Sequence, residues 1–538
     1  MKIISAIFSK SNLILLGLLF IGVIFFCLKS NTQVYESLSW DEVHYSSLAD
    51  KGLLYNALEK NSLSFIGFYK IGKARADKDT LLNAQLVKEY NYPDENLNPF
   101  YLRHYHPPLA TYYWSLFTSN SNIFEKDKSL RFSNIPLGIF AILSLIISLF
   151  FAKILNERTF KSILILSTLL IASNIFNYSF ETLNFHVFQF IFSVIFVACL
   201  MRWITNQTKK NAVFLGISTA FMFLSLETAL FVAFGAILAL LLTKQIKIIF
   251  KFSLQIFGSF FITIIALWPG ILKTLAPIKT WIMYAARIFL KGNDEYDSVD
   301  MAGAWKTMFF ENIILFTVLI SIVITLLIIS RKAVSNRNYI IPYIIAFIYF
   351  LTITPFIISK TYIFPVIGLL IFAIVYNLSV LDLNKFNFFD SNKKIKQYLV
   401  IILLISYISF PFVNLNYSTN LSKNKQEREL FNQDLDELKE LLNSKENIIA
   451  FNGQSLRYYL QNEEIVDLRK NKMQNPGFYI RENGLYKDVT QDLKEQYIGV
   501  VIIPVKYLNY YPSTKTKMLE DFNYKKINLN HFQVFLSQ

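Results

Sequence analysis

The chain has little charge and little cysteine, and these two shortages narrow its class. Only 17% of its 538 residues are Asp, Glu, Lys or Arg, while 54% are hydrophobic, which is not the composition of an ordinary soluble globular protein. The two cysteines, Cys27 and Cys199, fall inside apolar runs, so they offer no disulfide framework and do not identify the compartment. Internal repeats and low-complexity tracts are also lacking in the sequence. This composition indicates a polytopic membrane protein.

Apolar residues are grouped in blocks close to the roughly 20 residues that a helix needs to cross a hydrocarbon core. The first block is not followed by a small-residue cleavage pattern, so we expect a retained helix rather than a signal peptide. The sequence predicts about eleven transmembrane helices, over residues 11–29, 132–152, 162–178, 183–203, 211–226, 228–243, 248–269, 308–330, 338–358, 361–380 and 397–414.

Basic residues concentrate in alternate connections between these blocks, and the positive-inside rule assigns such connections to the cytoplasm. These connections account for much of the formal charge of +15, so we expect no nucleic-acid partner. The remaining loops then face outward, including a long first loop over about 30–131. Because the helix count is odd, everything after about residue 415 is expected outside as well.

The last part of the chain has a different pattern. Apolar residues recur at helical spacing over 424–443, and a second helix is expected over 455–461. We therefore predict a membrane module, residues 1–414, and an extracytoplasmic α/β domain, residues 415–538. Four short runs of strand-like composition occur in the latter, over 448–451, 464–468, 499–505 and 532–537.

Two adjacent acids, Asp41 and Glu42, follow the first apolar block by about ten residues and are flanked by Trp40, His44 and Tyr45. Aromatic flanks favour partial burial, which raises the pKa of a carboxyl toward that of a useful general base. The alternative is a pair of solvated charges where a helix leaves the membrane.

Other polar residues mark the ends of predicted helices. Arg103 and His106 precede Pro107 in RHYHPP; guanidinium and imidazole groups suit a phosphate, or the run is an interfacial anchor. Glu181 either caps a helix or serves a site, and Lys360, followed by Tyr362, either snorkels or neutralises an anion. The histidines lack the spacing of a helical metal site, so no cofactor is firmly predicted and a divalent metal stays an open alternative.

In their order and sidedness these motifs resemble the GT-C type glycosyltransferases that use polyprenyl-phosphate-linked sugars. This is the superfamily of the dolichyl-phosphate-mannose protein mannosyltransferases and the aminoarabinose transferases. The tail is also similar to the C-terminal domains of many bacterial members. The resemblance covers about residues 1–380 and is carried by Asp41 with Glu42, the HPPL run from His106, Arg131, Glu181, and the pattern Lys360, Tyr362, Pro365.

The resemblance implies a GT-C-like fold in the cell membrane and transfer of a hexose or pentose, with inversion, to an acceptor hydroxyl on the extracytoplasmic face. The partners it implies are a polyprenyl-phosphate-linked sugar, membrane lipids and a lipid, glycan or protein acceptor. Asp41 would be the base, and Glu42 would orient either Asp41 or the acceptor. The phosphate would contact Arg103, His106 and Lys360, with His44, Glu181 and Tyr362 as further candidates.

Three other interpretations stay open. A lipid-linked oligosaccharide polymerase or ligase also has many helices, but its large loop usually comes late, whereas the long loop here comes first. A transporter or flippase predicts charged residues near the bilayer midplane and often inverted repeats, and the sequence has neither. A scaffold or sensor that uses the C-terminal tail is the third.

Overall fold

The structure of the chain is a computed structural model; among the residues that it describes, those up to residue 442 are mainly helical and those after it are built around one β-sheet. The residues that it describes are 10–38, 40–58, 65–90, 106–119, 122–274, 301–334, 337–353, 360–381, 417–443, 445–451, 453–462, 465–468, 478–482, 485–505, 508 and 513–538.

The helices before residue 400 divide into long apolar helices and shorter ones that connect them. In the described ranges, two short 3-10 turns, Arg337–Ile340 and Lys360–Ile363, directly precede the apolar helices that begin at Ile341 and Phe364. The α-helices are α1 (Lys10–Gln33), α2 (Trp40–Asp50), α3 (Leu53–Ala57), α4 (Phe65–Ala76), α5 (Thr80–Glu89), α6 (Leu109–Ser115), α7 (Ile123–Phe132), α8 (Asn134–Ala152), α9 (Glu157–Ile171), α10 (Asn174–Ser179), α11 (Phe185–Thr205), α12 (Lys209–Ser225), α13 (Ala229–Leu242), α14 (Ile246–Lys251), α15 (Ser253–Leu267), α16 (Ile271–Thr274), α17 (Met301–Glu311), α18 (Ile313–Ala333), α19 (Ile341–Ile353) and α20 (Phe364–Val380).

Within the described ranges, five helical segments are long and apolar enough to cross a membrane, which makes the chain a polytopic membrane protein. Three shorter apolar segments accompany them: Ala229–Leu242, Ser253–Leu267 and Arg337–Ile353. The count of eleven stays a prediction, and its last block, 397–414, lies outside the described residues. The five long segments are Asn12–Gln33, Ile123–Ala152, Phe185–Thr205, Ile313–Arg331 and Thr361–Val380.

Helix α11 lies at the centre of the bundle and packs against α8, α12 and α20. The apolar stretch of α11 is 83% buried inside the protein, whereas that of α1 is only 28% buried. Lipid is therefore left to cover most of the apolar side chains of α1. Small residues allow such helices to approach closely. At Gly216 of α12, for example, a side chain would collide with Ile256 and Ser259 of α15.

The C-terminal part contains one mixed sheet with the strand order β4-β3-β2-β1-β5-β7-β6. Strand β1 pairs in parallel with β2 and β5, and the other pairings are antiparallel. The strands are β1 (Ile448–Phe451), β2 (Val466–Leu468), β3 (Tyr479–Glu482), β4 (Leu485–Asp488), β5 (Val500–Pro504), β6 (Tyr524–Asn528) and β7 (Phe532–Ser537), and the helices are α21 (Tyr417–Leu442), α22 (Gly453–Leu460), α23 (Thr490–Lys494) and α24 (Ser513–Asp521).

The four predicted strands and both predicted helices of this part are confirmed; two of the strands have the predicted bounds, and the boundaries of the other elements differ by a few residues. The proposed division at 414/415 stays a prediction, because residues 382–416 lie outside the described ranges. Helices of the sheet-bearing part contact the helical part. Helix α21 packs against α1, and α22 packs against α2, the helix that begins at Trp40. The second contact joins the sheet-bearing part to the helix that carries the acidic pair.

Candidate functional site

Glu42 lies in the first turn of α2 and is almost completely buried. Its carboxylate forms a two-pronged ion pair with Arg131 of α7, with Nη1 2.6 Å from Oε1 and Nη2 2.9 Å from Oε2. The backbone N–H of Leu183 also donates to Oε1 over 2.9 Å. Because both carboxylate oxygens accept charge-assisted or backbone hydrogen bonds, the orientation of Glu42 is fixed.

The Arg131 guanidinium joins this carboxylate to two backbone segments. It donates to the carbonyl oxygen of Glu181, and its Nη2 donates to the carbonyl oxygen of Ser37 over 3.0 Å. The side chain is 4% exposed, so the bonds form away from bulk water. One buried cation therefore holds together the segment before α2, the first turn of α2 and the turn that precedes α11.

A second, more exposed set of charges surrounds this pair. Lys29, near the end of α1, lies 3.2 Å from a carboxylate oxygen of Glu181. Glu36 follows in the next turn, and desolvation raises the pKa of its carboxyl, which Arg131 and Lys29 lower and Glu181 and Glu42 raise further. Acids and bases thus alternate at this end of the bundle.

His106 is the first described residue of the RHYHPP run. Its Nδ1 lies 2.9 Å from Oε2 of Glu227, at the start of the segment that leads into α13, and donates to that carboxylate. The imidazole stacks on Phe185 with ring centroids 4.4 Å apart, and Tyr45 of α2 meets its edge at 6.0 Å. Pro108 caps α6, as the proline pair predicts.

His186, the residue after Phe185, extends the same cluster toward the apolar helix α20. The ring of His186 lies 4.2 Å from that of Tyr362, in the 3-10 turn that begins at Lys360. Glu42 bonds the backbone at Leu183, His106 stacks on Phe185, and Tyr362 contacts His186. The short segment 181–186 therefore contacts sequence-predicted site residues from three distant parts of the chain.

The structure brings together Glu42, Glu181, His106 and Tyr362, and it buries His44 on α2. Asp41 and Lys360 lie in a described helix and a described turn, but their side chains are outside the described part of the chain. Arg103 also lies outside the described residues. Among the residues that the structure does describe, no group of three or more His, Cys, Asp or Glu side chains is placed to hold a metal ion.

Sequence reasoning assigned no role to Lys29 or Glu36 and used Arg131 only as a landmark of the resemblance. Lys29 carries a recognisable signal, because it is a lone charge in the last turns of an apolar block. Arg131 is 89 residues from its partner Glu42, so no local spacing connects the two.

The arrangement is a helical membrane bundle followed by a sheet-bearing part that contacts the acidic helix. Two solved structures of the aminoarabinose transferase ArnT are similar to the chain. ArnT from Cupriavidus metallidurans bound to undecaprenyl phosphate is 10% identical, with a TM-score of 0.52 over 98% of both chains. The apo state of ArnT from the same organism is 10% identical, with a TM-score of 0.48 over 80% of this chain and 87% of its own.

No family model matches the sequence, and no curated protein matches it. At 10% identity, the likeness to ArnT is a likeness of fold.

Proposed function

We propose that this protein is a membrane glycosyltransferase that moves a sugar from a polyprenyl-phosphate-linked donor to an acceptor hydroxyl, on the extracytoplasmic face of the cell membrane. The observation that carries the proposal is the full-length likeness of fold to ArnT, whose solved structure is bound to undecaprenyl phosphate. A shared fold alone does not define an activity. The second support is therefore chemical: acids, bases and imidazoles meet around segment 181–186.

The reaction requires one displacement at the anomeric carbon. The acceptor oxygen forms the new bond to this carbon, the bond from the carbon to the phosphate oxygen breaks, and polyprenyl phosphate leaves with the electron pair. A base must take the hydroxyl proton, and a cation must stabilise the departing phosphate. A single displacement inverts the anomeric configuration.

We assign the base to Asp41 and an orienting role to Glu42. Glu42 is suited to orientation, because Arg131 and the Leu183 N–H engage both of its oxygens in a buried setting. Asp41 precedes it in the same first turn of α2, so the position of its backbone depends on the ion pair of its neighbour. In this assignment the fixed geometry of Glu42 serves the reactivity of Asp41.

The donor phosphate is assigned to Arg103, His106 and Lys360. His106 is held by Glu227 and by the face of Phe185, so its imidazole has a defined direction. Lys360 begins the turn that carries Tyr362 to His186, which supports its placement near the same segment. Glu181, His44 and Tyr362 are proposed to line the site.

The test uses the purified full-length protein in lipid nanodiscs with polyprenyl phosphates that carry radiolabelled hexoses or pentoses, together with a membrane extract as acceptor source. We expect label to pass to the extract with release of polyprenyl phosphate. Asp41→Asn should lower the rate by about 100-fold or more, because a general base contributes on that scale.

Ser47→Ala is the matched control, because Ser47 lies on the same helix and its hydroxyl donates to the Val43 carbonyl one turn back, over 2.8 Å. It should transfer label at the wild-type rate. Wild-type transfer by Asp41→Asn would remove Asp41 as the base. If the wild-type protein releases no polyprenyl phosphate from any donor of the panel, the proposed activity itself is wrong.

A further inference from the structure

Asp127 of α7 is a buried carboxylate that the proposed reaction does not use. Its side chain is 1% exposed and accepts three hydrogen bonds from the C-terminal part of the chain. Arg428 Nη2 donates to Oδ2 over 2.9 Å, the Tyr459 hydroxyl donates to Oδ2 over 2.8 Å, and the Tyr458 hydroxyl donates to Oδ1 over 2.9 Å. All of these partners are about 300 residues away in sequence.

The two tyrosine hydroxyls continue from Asp127 to the segment that carries the acidic pair. The hydroxyl of Tyr459 accepts the backbone N–H of Leu38, two residues before α2, over 2.7 Å. The hydroxyl of Tyr458 lies 2.9 Å from the Ser46 Oγ, in the middle of α2. Since the single hydroxyl proton of Tyr458 is given to Asp127, Ser46 is the donor in this bond. Burial and the neighbouring Asp127 raise the pKa of both tyrosines, so the hydroxyls stay protonated.

Three polar residues connect helix α7 to α2, two of them directly and one through the tyrosines. Lys126 pairs with Asp50 at the end of α2 over 2.8 Å, and Arg131 pairs with Glu42 at its beginning. Asp127 lies one turn before Arg131; it reaches Ser46 of α2 through Tyr458, and it reaches Leu38, just before α2, through Tyr459. We call the two hydroxyl contacts, Tyr459 with Leu38 and Tyr458 with Ser46, the bracket on α2.

We propose that Asp127 is a positioning residue: by holding Tyr458, Tyr459 and Arg428 in place, it makes the C-terminal part of the chain fix α2 in the geometry that sugar transfer requires. This inference rests on the proposed function, because the geometry matters through Asp41 and Glu42. A small displacement of a reacting group costs as much as about 100-fold in rate. The expected effect therefore falls on the chemical step rather than on donor binding.

The variant that isolates the bracket is Tyr458→Phe combined with Tyr459→Phe, in the full-length protein. It removes two hydroxyls, keeps the rings and leaves the Asp127–Arg428 ion pair intact. We expect kcat to fall about 10- to 100-fold while KM for the labelled donor changes less than about 3-fold. Glu520→Gln is the control, because Glu520 makes an exposed ion pair with Lys526 in the same part of the chain.

Two further variants distinguish positioning from simple loss of stability. Arg428→Lys keeps a charge beside Asp127 and should retain more of kcat than Arg428→Met, which leaves the Asp127 carboxylate buried without a counter-charge. Amide hydrogen exchange over residues 40–50 is a measurement that does not depend on activity. The exchange rate should become about 10-fold faster in the double Phe variant and stay unchanged in Glu520→Gln.

The outcomes separate the two proposals. If wild type transfers sugar and the double Phe variant keeps its kcat, Asp127 does not position α2 and the proposed function stands. If wild type transfers nothing, the proposed function is wrong, and hydrogen exchange decides whether the bracket holds α2. Unchanged exchange over residues 40–50 in the double Phe variant overturns the bracket in either case.

Discussion

Helix α7 carries two buried ion pairs one turn apart, and the two differ in what they join. Arg131 meets Glu42 within the membrane module, with side chains 4% and 2% exposed and a closest distance of 2.6 Å. Asp127 meets Arg428 from the C-terminal part, with side chains 1% and 10% exposed and a distance of 2.9 Å. The first pair is closed off from water, whereas the second keeps one partner at the edge of solvent. Removal of one partner should therefore cost more free energy of unfolding at the first pair, because the charge that remains there is farther from water.

The largest effect should come from breaking the first pair. Glu42→Gln keeps the shape of the side chain but leaves the Arg131 cation buried without a counter-charge. We expect a loss of about 3–5 kcal/mol in the free energy of unfolding, together with loss of sugar transfer. Thermal and denaturant unfolding of the purified variant measures the first effect, and the labelled-donor assay measures the second.

A double variant separates stability from chemistry at the same pair. Glu42→Gln with Arg131→Met removes both charges, and replacing a buried pair by neutral groups is often close to neutral for stability. We expect most of the lost unfolding free energy to return while sugar transfer stays lost. Recovery of both in the double variant would show that Glu42 has no role beyond balancing Arg131.

Breaking the second pair should cost less. Asp127→Asn leaves Arg428 unpaired at a position where 10% of its side chain still reaches solvent, and the amide still accepts from a tyrosine. We expect a loss of about 1.5–3 kcal/mol in the free energy of unfolding, the range for a hydrogen bond to a charged group. A loss larger than that of Glu42→Gln would reverse the ranking of the two pairs.

The two pairs also show how far sequence reasoning reaches. The acid pair at residues 41 and 42 is recognisable, because two carboxylates beside aromatic residues are unusual where a helix leaves the membrane. Asp127 is not recognisable, since it lies in the run EKDKS, which has the composition of a solvated helix end. Its burial depends on tyrosines more than 300 residues away, and no local pattern records that distance.

The same contrast holds in the sheet. The strand-like runs over 448–451 and 532–537 are strands with the predicted bounds. They are recognisable in the sequence because uninterrupted or alternating apolar residues mark a buried strand. Strands β3, β4 and β6 were not predicted. Their sequences, YIRE, LYKD and YKKIN, mix charged and aromatic residues, and β4 and β6 lie at the two edges of the sheet. Edge strands carry charges that obscure the apolar period.

A third pair extends the comparison toward solvent. Lys29 and Glu181 lie 3.2 Å apart with side chains 24% and 31% exposed. Lys29→Met should therefore change the free energy of unfolding by less than about 1 kcal/mol. Its effect should shrink in high salt, whereas the effect of Glu42→Gln should not, because salt screens exposed charges far more than buried ones. Unfolding curves at low and high salt measure both, and equal salt dependence would contradict the ranking.

The smallest effect should come from Glu36, whose carboxyl has a perturbed pKa and accepts a hydrogen bond from the Asn424 amide. Its carboxyl has a pKa raised above the usual value, mainly by desolvation, so the folded chain binds its proton more tightly than the unfolded chain does. Stability is therefore lost as the pH rises from the unfolded pKa through the folded one. Glu36→Gln should be more stable than wild type at pH 7, by less than about 1 kcal/mol because solvent reaches the side chain.

Below about pH 4 the carboxyl is protonated in both states, and the advantage of Glu36→Gln over wild type should disappear. Paired unfolding curves at pH 4 and pH 7 measure this difference, with Glu520→Gln as the control at an exposed position. A variant that is less stable than wild type at pH 7 would mean that Arg131 and Lys29 outweigh desolvation at Glu36. The ionised Glu36 carboxylate would then stabilise the fold, as the buried carboxylates paired on α7 do, although its side chain is exposed to solvent.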